Sequence, residues 1–466
     1  MPFVALTLSL CFSAWLLWRE RRRRPFFSWA LWIPTSLLFI LGSRPVSLWL
    51  GGNLATGVFT GNTAETSPLD QAFFLFVLLA SLLVAGSRRV MWGKLFAQNS
   101  ALMLFYVYFA VSVLWSGDPT GSTKRLVKDF GMLFVMAILW SETHPLVAIR
   151  SVYVRCASIL FPLSLVFDKY FPNIARAYSR AGEPMSTGVT TQKNSLGELV
   201  LIFSLFLIWD LLEEHRAHNK LRHLWDRFLL LLIGLWLLHS SESKTALVCL
   251  LVGAALALRT GWLASRSVST VVLAVTFFLP YLALFAQQFN SIIAPVVNDL
   301  GRNMTFTGRT DIWRHITLET VNPVVGAGYW NFWGGPGGFA IGAAMKTLVP
   351  NAHNGYLDIY LDGGAIGLIM LAALLIASGR RLIKGGTGRG FEGLRFSILI
   401  VVMIYNLSES TFARLGTMWF ATVLALTDFS TATPPVGASH GERPQIAEVE
   451  CFAPRYQGQD AGSWLT

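Results

Sequence analysis

Apolar segments recur along the whole chain, at about 3–18, 26–42, 70–86, 95–115, 129–141, 151–167, 195–212, 228–239, 244–258, 267–286, 356–377, 396–408 and 416–428. This recurrence limits the fold more than any motif does. Of the 466 residues, 53% are hydrophobic and 14% charged, against about 25% charged in a soluble chain. Such a chain is placed in lipid, and one helical bundle is the simplest architecture that buries the runs. A span needs about 20 residues. The runs at 129–141, 228–239, 396–408 and 416–428 are shorter, so each either extends into its neighbours or is re-entrant. The expectation is an all-α polytopic transmembrane bundle of about 12 or 13 spans.

Charge orients the bundle. The first run is followed, not preceded, by Arg19-Glu20-Arg21-Arg22-Arg23-Arg24. A cleaved signal peptide carries its charge first, so this is expected to be a membrane helix with its N-terminus outside. Alternate loops then hold most of the basic residues, including Arg88, Arg89, Arg216, Lys220, Arg380 and Arg381, and are assigned to the cytoplasm. Residues 1–428 form the membrane domain, with long outward loops at 168–194 and 287–355. Residues 429–466, rich in Pro, Gly, Ala and Ser, are expected to be a disordered cytoplasmic tail. The net charge of +11 follows this loop pattern, so no nucleic acid is expected as a partner. Cys11, Cys156 and Cys249 lie in apolar runs and Cys451 in the tail, without disulfide or metal spacing.

The outward loops carry cations against the charge rule, among them Arg176, Arg180, Lys193, Arg302, Arg309 and Arg314. Thr307-Gly308-Arg309-Thr310-Asp311-Ile312-Trp313-Arg314 resembles a helix start capped by Thr307. Arg309 in its first turn opposes the helix dipole at a cost of about 0.3–1 kcal/mol. A bound anion would reverse that sign; alternatively, Arg309 pairs with Asp311 or Glu319. Lys193-Asn194-Ser195-Leu196-Gly197-Glu198 precedes an apolar run, and Ser195 with Glu198 fits a capping box. Lys193 then opens a membrane helix, where it either meets an anion or snorkels to head groups. Lys244, in the short polar turn after His239, is read first as part of a solvated turn and alternatively as an addition to such a site.

Asn351-Ala352-His353-Asn354-Gly355 leads into the run at 356–377. If the helix begins at His353, then Tyr356, Tyr360, Gly364 and Gly367 share its face. The two glycines would then admit a second helix, while Asp358 and Asp362 point elsewhere. A loop histidine is commonly a polar surface residue; histidine can also act as a base near neutral pH. No Asp/Glu/His set suits a metal, and no Gly-Lys-Ser/Thr phosphate loop or Ser–His–Asp arrangement occurs. Chemistry is therefore expected to need neither a protein-bound metal nor another cofactor.

His353-Asn354, nine residues, Gly364, two residues and Gly367 together resemble the signature of the O-antigen ligase/polymerase family. The resemblance extends to Trp115-Ser116-Gly117-Asp118-Pro119, Gln192-Lys193-Asn194-Ser195-Leu196-Gly197, Ser243-Lys244-Thr245 and Thr307-Gly308-Arg309 with Trp313. It is greatest for the exopolysaccharide polymerase branch and covers about residues 110–420. It implies a GT-C-like, multi-pass glycosyltransferase of the bacterial inner membrane with a periplasmic active face. The implied donor is a glycan on undecaprenyl diphosphate, and the acceptor a lipid-linked glycan or lipid A core. Membrane lipids, a flippase and a chain-length regulator are implied as partners. On this reading His353 is the catalytic base and Arg309, Arg180 and Lys193 bind the donor diphosphate. Arg176, Arg302, Arg314, Lys244 and Asn354 support them. Transfer would invert the anomeric centre. Polymerase is preferred to ligase. A transporter or a non-catalytic scaffold is the competing class, although the polar residues gather in outward loops rather than at mid-membrane.

Overall fold

The computed structural model describes residues 1–23, 28–51, 67–88, 90–178, 182, 184–218, 224–259, 264–286, 309–387 and 390–429. Arg180, Arg302, Thr307, Gly308 and the tail from residue 430 lie outside them. Helices run in the order α1 (Pro2–Arg23), α2 (Trp32–Leu41), α3 (Val46–Trp49), α4 (Pro68–Ser87), α5 (Trp92–Gln98), α6 (Ser100–Ser112), α7 (Pro119–Trp140), α8 (Pro145–Tyr170) and α9 (Pro172–Ala175). The hairpin β1 (Arg176–Tyr178) and β2 (Pro184–Ser186) follows, paired antiparallel with Arg176 opposite Ser186. Then come α10 (Lys193–His218), α11 (Trp225–Ser240), α12 (Lys244–Leu258), α13 (Arg266–Ala286), α14 (Arg309–Ile316), α15 (Pro336–Met345), α16 (Gly355–Gly385), α17 (Gly390–Tyr405) and α18 (Thr417–Leu426).

Within the described residues every apolar run contains helix, because a helix satisfies its backbone groups internally where no water can. α8, α10, α17 and α18 supply the buried centre. α8 packs on α1, α10 and α11; α12 packs on α10 and α17; α4 lies on α7 and α6 on α16. α1 and α4 keep Phe3, Leu8, Leu75, Phe76, Leu79 and Leu83 exposed, as expected of a lipid-facing surface. The protein is thus an all-α, multi-pass membrane protein.

Among the described residues, five helices are long and apolar enough to cross a membrane: α1, α4, α8, α10 and α16. α5 and α6, bent by 94°, make a sixth if they form one span. Trp29–Leu41, Lys244–Leu258, Arg266–Pro280 and Thr417–Leu426 are apolar but shorter. The 12 or 13 apolar runs outnumber these long helices because several of them form helices shorter than a full span. Phe429, assigned to the tail, packs instead, its ring stacked on Trp140 with centroids 5.3 Å apart.

At one end of the bundle Arg227 is buried against Glu20, Asp210 and Asp226, which ties α1 and α10 to α11. At the other end Arg44, between α2 and α3, donates to the carbonyl oxygens of Ile174, Gly188, Val189 and Thr190. Burial pulls its pKa down to about 10. Arg44 thereby fixes the stretch that delivers Lys193 to the start of α10.

Candidate active site

α16 is two helices in series. Its backbone breaks at Gly364, at φ 61° and ψ −160°. The loop Pro323–Gly328 crosses the break and takes up the freed groups. Ala327 N and Gly328 N donate to Leu361 O and Asp362 O at 2.9 Å each. Ala365 N and Ile366 N donate to Pro323 O and Val324 O at 2.9 and 3.1 Å. A Cβ on Gly364 would lie 2.3 Å from Val324 backbone atoms, so only glycine allows this approach. Gly364 therefore admits a loop rather than the second helix expected from the sequence.

The helix does not begin at His353. Asn354 is its N-cap, with Oδ1 accepting from Tyr356 N and Leu357 N at 3.1 Å each. His353 precedes the cap in the left-handed region, at φ 50°, and its N–H donates to Asn351 Oδ1 at 2.9 Å. Its ring is thus aimed by a turn and not by a helical face. Trp330 and Ala413 are also left-handed, and Trp330 Nε1 donates to Ala413 O at 2.7 Å. Strained backbone of this kind collects at functional sites.

The turn between α17 and α18 supplies the residue that organises the cluster. Gly355 N donates to both Asn406 O and Glu409 O at 2.9 Å, which joins this turn to the start of α16. Glu409 Oε1 then accepts from Arg309 Nη2 at 2.6 Å and from Asn194 Nδ2 at 2.8 Å. Glu409 Oε2 faces His353 Nδ1 at 3.4 Å. The Arg309, Glu409 and His353 side chains are 16%, 10% and 28% exposed, largely sheltered yet open to a ligand. Arg309 pairs with neither Asp311 nor Glu319, the two partners considered from the sequence; its partner lies in a distant turn. α14 is held beside His353 because Trp313 Nε1 donates to Ala352 O at 2.8 Å.

A second buried carboxylate sets the approach to His353. Asp358 Oδ1 accepts from Ala352 N at 3.0 Å and Trp333 Nε1 at 2.8 Å, and Oδ2 accepts from Arg414 at 3.0 Å. The Arg414 guanidinium lies 4.5 Å from the centre of the Trp330 ring. Glu198 makes no capping box with Ser195. Its Oε1 accepts from Thr417 Oγ1 and Met418 N, so it fixes the start of α18, and Ser195 lies inside α10. A cavity of about 340 Å³, lined in part by Ser195, Glu198, Trp330, Asn351, Ser410 and Arg414, adjoins the cluster.

Of the residues singled out from sequence, the structure gathers Arg309, His353 and Asn354. Lys193 opens α10, and its neighbour Asn194, not Lys193 itself, bonds to Glu409. Lys244 opens α12 and is exposed. Its neighbour Thr245 shares a hydrogen bond of 2.7 Å with Ser408, beside Glu409. Arg176 is exposed on the hairpin and Arg314 on the last turn of α14; neither reaches the cluster. Sequence reasoning missed Glu409, Asp358, Arg414 and Glu198 as contributors. Glu409 had a signal: it is the acidic residue in the polar break between two apolar runs.

The family model described as O-antigen ligase matches residues 228–372. That stretch contains Arg309, His353, Gly364 and Gly367 and ends before Glu409. The chain is also similar to the exopolysaccharide production protein ExoQ of Rhizobium meliloti (strain 1021), 23% identical over 297 residues. The alignment covers 59% of this chain and 63% of the relative, so the chain spans less than two thirds of that protein's length.

Proposed function

We propose, from the O-antigen ligase/polymerase family that both matches support, that this protein polymerises glycan repeat units at the periplasmic face of the inner membrane. The donor is a glycan on undecaprenyl diphosphate and the acceptor a hydroxyl of a second lipid-linked glycan. The observation carrying this reading is the convergence of Arg309 and His353 on Glu409. Glu409 accepts the Nδ1 proton of His353 and leaves Nε2 as the base, the logic of a carboxylate-oriented histidine. Nε2 removes the acceptor hydroxyl proton as its oxygen attacks the anomeric carbon. The bond to the diphosphate breaks on the opposite face, so the anomeric centre inverts.

Negative charge grows on the departing diphosphate. Arg309 is placed to meet it, with Lys193 at the start of α10 as the second cation. A guanidinium has five donors, so the pair with Glu409 leaves Arg309 able to bind an anion as well. Removing an oriented group of this kind typically costs about 3–4 kcal/mol of barrier. The step calls on no metal.

A ligase joining finished polymer to lipid A core is the second reading, favoured by the description of the matched family model. Deleting the gene and comparing lipid-linked and surface glycans separates the two. Loss of long polymer with accumulation of single units supports the polymerase. Long polymer kept on its carrier but missing from lipid A supports the ligase. The proposal fails if purified protein carrying both Arg309→Ala and His353→Ala transfers glycan at the wild-type rate.

A further inference from the structure

α15 ends on a residue that its geometry does not favour. Thr347 N donates to Gly342 O at 3.1 Å and Lys346 N to Ala343 O at 3.2 Å, the paired bonds of a left-handed helix stop in which glycine is usual. Lys346 holds that position at φ 50° and ψ 33°, a conformation costly for a residue with a Cβ. Its side chain is exposed and makes no ion pair with the described residues, so no contact within the fold accounts for a lysine there. Strain held where no contact requires it is a mark of function.

Lys346 lines a cavity of about 740 Å³ between α15, the first turns of α7 and the turn Asn331–Gly334. Ligand sites commonly measure about 300–1,000 Å³. Asp118, Lys124 and Arg125 also line it. Asp118 is taken up as the N-cap of α7, its Oδ1 accepting from Gly121 N at 2.9 Å. Arg125 Nη1 donates to Trp330 O at 2.7 Å. Lys124, like Lys346, is exposed and in no ion pair with a described residue. The cavity therefore carries an excess of positive charge on two lysine ammonium groups. Trp333 and Phe339 give it aromatic faces. Such a lining suits a sugar, whose ring is apolar on its faces and hydroxylated at its rim. Trp333, Gly334 and Pro350 line both this cavity and the one beside the cluster, and Pro350 is close in sequence to His353.

We propose that this cavity binds an acidic sugar of the glycan repeat unit, with Lys124 and Lys346 taking its carboxylate. The reading deepens the proposed function and rests on its glycan substrate. A carboxylate only accepts hydrogen bonds and an ammonium only donates them, so the two match, whereas a neutral sugar leaves both charges uncompensated. The glycan then continues past Trp333 into the space beside Glu409 and His353.

The probe is the repeat unit of the host's surface polysaccharide, cut from its lipid, in native form and with its carboxyl groups reduced to alcohols. Full-length protein in detergent is titrated with each, and binding is read from tryptophan fluorescence. The native form is expected to bind about tenfold more tightly, equivalent to about 1.4 kcal/mol. Lys346→Gly and Lys124→Gln are each expected to remove most of that difference. Lys346→Gly should also melt at or above the wild-type temperature, because glycine adopts the left-handed backbone without strain; this separates lost binding from lost folding. A repeat unit without a carboxyl group, no preference for the native form, or a preference that survives both substitutions would overturn the proposal. So would lysine variants that weaken undecaprenyl diphosphate as much as the native oligosaccharide, since the lysines would then serve the diphosphate. Binding is read without turnover, so acid-selective binding by a protein that transfers no glycan upholds this site and overturns the polymerase reading instead.

Discussion

Arg309 Nη2 donates to Glu409 Oε1 at 2.6 Å across 100 residues of chain. The pair joins α14 to the turn between α17 and α18. Because Glu409 also faces His353, a change at this one carboxylate reaches both the cation and the proposed base.

Glu409→Gln keeps the shape of the side chain and removes its charge. It is expected to lower glycan transfer by about 10²–10⁴-fold, the usual range for a general base, while the protein still purifies as a folded monodisperse species. The check is initial rate with a lipid-linked repeat unit, alongside thermal unfolding in detergent. A wild-type rate would remove Glu409 from the mechanism.

His353 combines a proposed chemical role with a left-handed backbone. Asparagine tolerates that conformation and a β-branched residue does not. His353→Asn should therefore unfold at the wild-type temperature yet transfer glycan at a small fraction of the rate. His353→Val should lose activity and also about 1–2 kcal/mol of stability. Comparing the two melting curves separates chemistry from strain.

Gly364→Ala would press a methyl group into the Val324 backbone at 2.3 Å. This should expel the Pro323–Gly328 loop and expose the groups it satisfies, with a loss of at least 1 kcal/mol. Gly367→Ala meets its nearest atom, Ile359 O, at 3.1 Å and should be milder. Fluorescence-detected size exclusion after a heating series would rank them, and equal behaviour would contradict the loop-insertion account.

Asp358→Ala would leave Arg414, Trp333 Nε1 and Ala352 N without their carboxylate. Asp358 is 2% exposed and Arg414 13%. Breaking a buried pair by removing one partner costs about 3–5 kcal/mol, so the variant should be markedly less stable. Asp358→Asn should retain part of that loss, because an amide oxygen still accepts. Thermal midpoints of the two variants against wild type provide the measurement.

The recurrence of apolar runs was enough to establish a helical membrane protein, because lipid leaves the backbone few alternatives. Local sequence also exposed Arg309 and His353, since a cation at a helix start and a histidine before a long helix are unusual placements. It misjudged how they are held. A capping box was expected from Ser195 and Glu198, but Glu198 is drawn to Thr417 and Met418 more than 200 residues away. A continuous helical face was expected below His353, but it is interrupted by a loop whose approach no local period encodes.

Taken alone, the sequence determined the helices, the apolar surface and which polar segments stand apart from it, because each follows from neighbours a few residues away. The tertiary structure decided that Asn194, Arg309 and His353 meet at Glu409 and that Lys124 and Lys346 line one cavity. Those relationships join residues far apart in the chain, and they exist only once helix packing has closed the distances to hydrogen-bonding range.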